Sequence, residues 1–475
     1  MLEWQAMKII LAGFNVDTEV LEDLKKTSRP RQDVTPETIS ASYARISRDP
    51  RPVDELRKIA REEVEKARKS NSNIIFKMGH HSIAEHAVFN FDILGVSRLV
   101  LEEIEKFRLC AYTEKSQRYQ KLEDDFVIPE EIKGTKLEKD FVETIREQNR
   151  FYHELIGKGI EPEDARYVTS LATEGQLGQT INARNLEFLF RRFASHPLSE
   201  VRKLGLEMYK LVEPIAPSII LFTEANDFDQ KTYPDIKKGL EGRRGQKRGK
   251  KAKEVTLESY TKNGDDILIA SLMHTTTNQP FKKCLKQAKG LKNEEKREII
   301  ETCFKYAEFY DRPQREFEYV DLTFDLVISA ACFGQLKRHR MASITCQSYD
   351  PALGVTIPEA IKKAGEEKKF NQLVNITRKI YEKIAKQNLV AAQYLLTNAH
   401  RRRVLIKVNA RELYHMSRLR EDSHAQWDIR NITKQMTALA KEVMPLTTMF
   451  IGGKDSYPEV YESYFGKRPK MVPEY

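Results

Sequence analysis

The chain has 475 residues, of which 40% are hydrophobic and 32% charged, with a formal net charge of +10. That length exceeds what one hydrophobic core organises, and the apolar share is enough for a core in each of two domains, which excludes general disorder. No run approaches the roughly 18 uninterrupted apolar residues that span a bilayer, and the start lacks the basic-then-apolar layout of a secretory signal, so a cytoplasmic protein with no membrane partner is expected. Five cysteines, Cys110, Cys284, Cys303, Cys332 and Cys346, show neither CxxC spacing nor a paired His cluster. They predict free thiols, and no metal site is expected.

Taken in order, Lys8-Ile9-Ile10-Leu11 reads as a strand. Val53, Leu56, Ile59, Ala60, Val64 and Ala67 recur at helical spacing and predict an amphipathic helix over 53–70. Phe89, Phe91 and Ile93 alternate with Asn90, Asp92 and Leu94, a strand that feeds a helix. Lys106-Phe107-Arg108 then falls at a helix end, and Glu114-Lys115-Ser116-Gln117-Arg118-Tyr119 in the loop behind it. Asn182-Ala183-Arg184 opens a helical stretch over 184–193, and Glu200-Val201-Arg202 follows.

Between Lys237 and Lys253 stand nine basic residues and one acid, Glu241, which supply +8 of the total charge. Gly239, Gly242, Gly245 and Gly249 lie in the same stretch, so 226–254 reads as a flexible, solvated connector. The rest of the chain is close to neutral, and nucleic acid is not expected as its partner. An added polyanion contact by the connector stays open.

After the connector the pattern repeats. Val255-Thr256-Leu257-Glu258 reads as a strand, and Tyr319 to Ile328 as another that feeds a helix. Arg338-His339-Arg340 precedes Cys346-Gln347-Ser348-Tyr349-Asp350-Pro351, Asn409-Ala410-Arg411 opens a helix over 411–419, and Asp428-Ile429-Arg430 closes the series. The landmarks match those of the first half in order, offset by 232 at Lys106 and Arg338 and by 227 to 228 later. Collinear matches with a slowly drifting offset indicate a tandem duplication. The expected architecture is therefore an α+β chain: a first module over 7–225, the connector, and a second module over 255–475.

Arg338-His339-Arg340-Met341-Ala342-Ser343, with Gln335 before it, and Glu114-Lys115-Ser116-Gln117-Arg118-Tyr119 resemble the two halves of the signature motif of the flavin-dependent thymidylate synthases, broadly RHR-x-x-S-x-N-E-x-S-x-R-Y. Gly79-His80-His81-Ser82-Ile83-Ala84-Glu85-His86, with Phe89-Asn90-Phe91 and Gly95-Val96-Ser97-Arg98, resembles the family's N-terminal segment. Asn409 to His415 and Arg420 to Arg430 resemble its C-terminal segment. The resemblance implies two copies of an antiparallel sheet with many helices. It implies methylation of dUMP at C5, with methylenetetrahydrofolate giving the carbon and FAD, recharged by NADPH, giving the hydride. No enzyme cysteine serves as nucleophile in that chemistry; orientation and electrostatics are the protein's task.

Carried over position by position, the resemblance assigns Gln335, Arg338, Glu114, Ser116, Gln117, Arg118, Arg166 and Arg420 to dUMP, with Arg420 beside the base as the catalytic cation. It assigns Ser82, Arg338, His339, Arg340, Glu114, Asn409, Arg411 and His415 to FAD. The second repeat has Cys346, Asp350 and Gln393 where Glu and two phosphate-binding Arg residues are expected. The first has Glu103, Lys106 and Phe107 in place of Gln and Arg-His, Phe188 at the His415 position, and Phe193 at or beside the Arg420 position. Each repeat lacks what the other keeps, which predicts one working composite site type and one dead one. A phosphate suits a guanidinium far better than it suits Asp350. If the ancestor was a homotetramer of single modules, a homodimer with pseudo-tetrameric arrangement is expected.

Plainer roles stand beside these. Arg-His-Arg also suits a solvated surface cluster, Arg166 and Arg420 suit ordinary ion pairs, Asn182 suits a helix cap, and Cys110 and Cys346 suit small fillers. His80, His81 and His86 suit hydrogen bonding or a cofactor edge better than a metal. A non-catalytic flavin or nucleotide binder, an enzyme alkylating another pyrimidine nucleotide, and an RNA-associated protein remain as alternative functions.

Overall fold

Strict alternation of apolar and polar side chains makes Val88–Ser97 a half-buried strand: Phe89, Phe91 and Ile93 are buried while Asn90 and Asp92 are exposed. In the computed structural model, which describes residues 7–26, 33–241 and 253–472, this strand is one of four in a first antiparallel sheet. The strands are β1 (Lys8–Phe14), β2 (Val88–Ser97), β3 (Cys110–Glu114) and β4 (Glu174–Asn182), in the order β1-β2-β4-β3. A second sheet repeats the plan with β5 (Val255–Tyr260), β6 (Asp321–Ser329), β7 (Ser343–Cys346) and β8 (Arg401–Asn409), in the order β5-β6-β8-β7.

The register supports duplication more strongly than the shared order does. Glu114 sits opposite Leu177 and Cys346 opposite Val404, so Glu114 and Cys346 occupy the same place in their sheets. Both first strands slip at the same point, between Leu11 and Gly13 and between Leu257 and Ser259. A bulge between Leu94 and Val96, at Gly95, occurs in β2 and has no counterpart in β6. That extra residue takes the offset from 233 at Leu94 and Val327 to 232 at Val96 and Ile328, the value found at Lys106 and Arg338.

Several sequence landmarks owe their recurrence to helix capping. Asn182 accepts the N–H of Asn185 at 3.0 Å, and Asn409 that of Glu412 at 2.8 Å, so each opens its helix, Ala183–Ala194 or Ala410–Arg420. Ser97 and Ser329 cap the helices Arg98–Ile104 and Ala330–Leu336. The acids of the later landmarks hold those caps: Glu200 Oε2 accepts from Ser97 Oγ at 2.9 Å, and Asp428 Oδ2 accepts from Ser329 Oγ at 2.6 Å.

The chain divides into two compact units, Met1–Lys247 with Ala364–Leu396, and Arg248–Lys363 with Thr397–Tyr475. The first unit thus incorporates a piece of the second repeat, so the expected module bounds are not the unit bounds. The reason lies in the amphipathic helix Glu367–Ala385, which buries Phe370, Leu373, Thr377, Tyr381 and Ile384. It runs beside the helix Lys136–Gly157, where Gln148 Nε2 donates to Thr377 Oγ1 and to the Leu395 carbonyl, both at 3.0 Å. Lys369 pairs with Glu154 and Lys383 with Asp140, an antiparallel match of charges.

Three expectations of local structure need correction. The helix expected over 53–70 is two, Val53–Glu62 and Val64–Ser72, broken at Glu63, where φ is −126° and ψ 58°. The segment behind Lys106, expected as a loop, begins as the edge strand β3. The start of the expected connector is a helix, Asp227–Glu241, tied down by Asp229, which pairs with Arg191 and Arg192 at 3.0 Å each. The most basic part of the connector, 242–252, lies outside the described residues.

The second unit's core lies between its sheet and helices: Leu322, Phe324 and Leu326 of β6 with Val404, Ile406 and Val408 of β8, under Leu413, Ile429 and Met436. In the first unit Phe89, Phe91, Leu177 and Ile181 are buried from the sheet, and Leu186, Leu189, Val201 and Leu204 from its helices. Both cores leave the C-terminal end of the third strand and the loop before it at the sheet's edge, where the polar motifs are displayed.

Candidate functional site

The first unit gathers cations around the end of β3. Lys115 N–H continues the ladder to the Gln176 carbonyl at 3.0 Å, and the chain then turns, with Ser116 Oγ accepting the Arg118 N–H at 3.2 Å. Glu114, Ser116, Gln117 and Arg166 line one cleft with Glu174 and Gly175, of about 140 Å³. Arg118 is fixed from the side by Glu163 at 2.8 Å, and the Glu163 carbonyl accepts from Arg166 Nε at 3.2 Å. Arg98, buried, approaches Glu114 at 3.9 Å and Glu102 at 3.3 Å.

Burial, together with nearby Arg98 and Arg118, lowers the pKa of Arg166 from its ordinary value. The cleft lining is of mixed charge, with Lys115, Lys121 and Arg166 among Glu114, Glu123, Asp125 and Glu174, and an anion beside Arg166 would relieve part of its desolvation. Gly175 lets Leu101 approach there: a Cβ would stand 2.6 Å from Leu101 Cδ1, so any larger residue needs that side chain to move.

The second unit places a different polar group at its matching helix ends. Gln335, on the helix Ala330–Leu336, donates from Nε2 to Gln426 Oε1 at 3.3 Å. Arg338 and Arg340 are exposed on either side of His339, which is 2% exposed. His339 Nδ1 lies 3.2 Å from Glu412 Oε1, and Arg420 Nε donates to His339 Nε2 at 3.0 Å. Arg420 also reaches the Gln335 carbonyl at 3.5 Å. The His415 ring stands edge-on to His339, centroids 5.9 Å apart at 73°. Burial, opposed by Glu412 but reinforced by Arg420 and His415, pulls the pKa of His339 down from its ordinary value.

Each group has a packed counterpart in the other repeat. Phe107, Phe188 and Phe193 take the places of His339, His415 and Arg420: the Phe107 ring meets Phe188 at 5.6 Å and 76°, and Phe193 at 5.8 Å. Phe193 fits because residue 205 is glycine, where a Cβ would stand 2.8 Å from the Phe193 Cβ. Lys106 is paired with Glu103 at 2.5 Å, and His196 approaches the same carboxylate at 3.4 Å. Conversely, Arg402 of the second repeat stands where Gly175 lines the first unit's cleft. Its guanidinium lies 4.6 Å from the Phe333 ring and 4.2 Å from the Tyr349 ring, at the places of Leu101 and Gln117, and its Nε donates to the Gln347 carbonyl at 2.8 Å. Asp350, at the Arg118 position, caps the short turn Pro351–Leu353.

The remaining expected residues are placed more variously. Ser82 is exposed on a 3-10 turn, His81–His86, and lines a cleft with Tyr43, Arg48, His80 and His86. Asn409 is the helix cap described above. Arg411 is engaged with Glu318 at 2.7 Å and the Pro313 carbonyl at 2.8 Å. Gln393 donates to Tyr381 Oη at 3.0 Å within the first unit. His86 packs edge-on against Tyr43, centroids 4.7 Å apart. Glu412, Arg98 and Arg402 were not singled out by sequence reasoning; running the 227-residue offset through β4 pairs Gly175 with Arg402 and exposes the exchange.

Fold and site together define a tandem α+β protein with two unlike polar groups, one in each repeat. The family model for the thymidylate synthase complementing protein matches twice, over residues 32–218 and 256–446, and the chain belongs to that family. Among similar proteins, the flavin-dependent thymidylate synthase of Geobacter sulfurreducens is 34% identical over 150 residues, covering 30% of this chain and 65% of the relative. That of Pyrococcus abyssi is 35% identical over 149 residues, covering 30% and 60%. That of Clostridium tetani is 32% identical over 208 residues, covering 40% and 82%. The match thus spans less than two thirds of the length of the first two. A solved structure of a UMP/dUMP methylase PolB from Streptomyces cacaoi bound with 5-Br dUMP has a TM-score of 0.36 and 18% identity, over 46% of this chain and 94% of that one. A score that low carries no argument.

Proposed function

We propose that this chain is a flavin-dependent thymidylate synthase that converts dUMP to dTMP, with one type of working site drawing on both repeats. The observation that carries the reading is the reciprocal exchange. The first repeat keeps the cleft of Glu114, Ser116, Gln117 and Arg166, with Arg118 held on Glu163, and packs Phe107, Phe188 and Phe193 at its other place. The second keeps Gln335, Arg338, His339, Arg340 and Arg420 and fills its cleft with Arg402, Phe333 and Tyr349. Two half-sites damaged independently would both decay; two that complement each other retain one of each.

In this reading Arg118 and Arg166 take the nucleotide phosphate, with Ser116 and Gln117 orienting it. Arg420 faces the pyrimidine and stabilises negative charge that develops on the imide and carbonyl oxygen, which makes C5 more nucleophilic. Glu114 bridges nucleotide and cofactor. Exposed Arg338 and Arg340 suit the diphosphate of FAD, with His415, Asn409, Arg411 and Ser82 as further cofactor contacts and His339, buried, behind them rather than in direct contact. FAD, when bound and reduced by NADPH, supplies the hydride, and methylenetetrahydrofolate supplies the carbon. The working assembly in this reading is a cytoplasmic homodimer of pseudo-tetrameric plan.

The test is product formation by the purified full chain. NADPH-dependent dTMP from dUMP and methylenetetrahydrofolate is expected, together with flavin absorbance. Flavin or dUMP binding without turnover would assign a non-catalytic binder instead, and turnover confined to another pyrimidine nucleotide would change the substrate.

A further inference from the structure

We infer that Glu412 is a positioning residue that locks His339 in the single tautomer able to hold Arg420. The inference rests on the reading of Arg420 as the cation facing the base. A guanidinium Nε always carries its hydrogen, and here it points at His339 Nε2, 3.0 Å away. That ring nitrogen must therefore be the acceptor, and the ring proton resides on Nδ1. Nδ1 in turn lies 3.2 Å from Glu412 Oε1, a carboxylate that accepts it. Both nitrogens of a ring only 2% exposed are thus committed, and the Arg420 guanidinium is held from its Nε edge.

The same residues also offer a metal-like grouping, since ligand atoms of His339, Glu412 and His415 lie within 4.8 Å of one another. An ion there would have to displace both hydrogen bonds and sit against a guanidinium, so the geometry points to a relay. Glu412 is itself well placed: it is buried in the first turn of the helix Ala410–Arg420, its N–H capped by Asn409 at 2.8 Å. The first repeat supplies an independent observation. Its counterparts of Glu412, His339 and Arg420 are Asn185, Phe107 and Phe193, so all three members changed where the half-site was packed shut. Loss of Glu412 alone leaves the imidazole free to carry its proton on Nε2, which sets a donor against the Arg420 donor.

Nitrogen-15 NMR of histidine-labelled full chain, with the His339 signals assigned through His339→Gln, reads the tautomer directly. The wild type is expected to show a protonated Nδ1 and a bare Nε2; Glu412→Ala is expected to shift protonation toward Nε2, and Glu412→Gln, which keeps an acceptor oxygen, to restrain that shift. In parallel, kcat for dTMP formation should fall about ten- to hundredfold in Glu412→Ala, with dUMP KM little changed and much of the loss recovered in Glu412→Gln. A wild-type ring protonated on Nε2, or Glu412→Ala with unaltered tautomer and turnover, overturns the inference. Should the alanine variant fail to fold, the wild-type and glutamine spectra decide. Absence of turnover in the wild type would sink the assigned reaction, while the spectrum would still decide the relay.

Discussion

The two repeats share strand order, register and helix caps, yet at two matching places they hold opposite materials. At the end of the helix Ala410–Arg420 the second repeat has Arg420 hydrogen-bonded to His339 with His415 edge-on to it, and the first has three phenylalanines in nearly the same edge-on geometry, 5.6 Å against 5.9 Å. At the cleft beside the third strand the first repeat has Gly175 in the lining, and the second has Arg402 between two aromatic rings. A polar group that no longer meets a ligand costs desolvation without return, and apolar replacement removes that cost. The comparison teaches that packing can keep a duplicated fold intact while matching positions exchange polar for apolar side chains.

The largest effect should separate the retained cations from their replaced counterparts. Arg118→Ala and Arg420→Ala are expected to lower kcat/KM for dTMP formation by about a hundred- to thousandfold. Asp350→Ala, at the place of Arg118 in the second repeat, should cost no more than the loss of a cap, about 1 kcal/mol of stability, with turnover kept. Equal losses from Asp350→Ala and Arg118→Ala would break the comparison.

A second contrast is in acid stability. His400 is wholly buried, accepts the Thr397 N–H on Nδ1 at 2.9 Å, and has its pKa pushed by burial from 6.5 down to about 4; the matching residue in the first repeat is Thr173. The unfolded chain takes up a proton near pH 6.5 that the folded chain refuses until about pH 4. Stability should therefore fall across that window as pH drops, by up to about 3 kcal/mol, and level off below it. Urea melts at stepped pH should show this slope in the wild type and a shallower one in His400→Thr.

The smallest expected effect belongs to Glu174, which lines the first repeat's cleft and has its pKa raised to about 7 by burial, Asp125 and Glu200; its counterpart is Arg401. Below pH 7 it is neutral beside the proposed phosphate site, and above pH 7 it ionises and repels. Calorimetry should find dUMP binding weakened a few-fold by ionisation of this residue as pH rises past 7, and Glu174→Gln should remove that component.

Much of this was legible in the sequence because the signals are local. Alternation gave β2, Asn182 and Asn409 mark their helices as caps, and the exchange of Phe107 for His339 and Phe188 for His415 follows from the offset alone. The edge strands β3 and β7 look like loops in the sequence because they are short and carry polar motif residues. The docking of Glu367–Ala385 in the first unit is non-local packing, which amphipathicity announces without naming a partner. Arg402 gives no signal in the sequence because its meaning depends on what stands around it: an arginine in a strand is ordinary until two rings enclose it and its counterpart is glycine.

Division of the chemistry between the repeats is tested most directly by counting ligands. Equilibrium dialysis and flavin absorbance on the purified full chain should give one FAD and one dUMP per chain; two of each per chain would contradict the account.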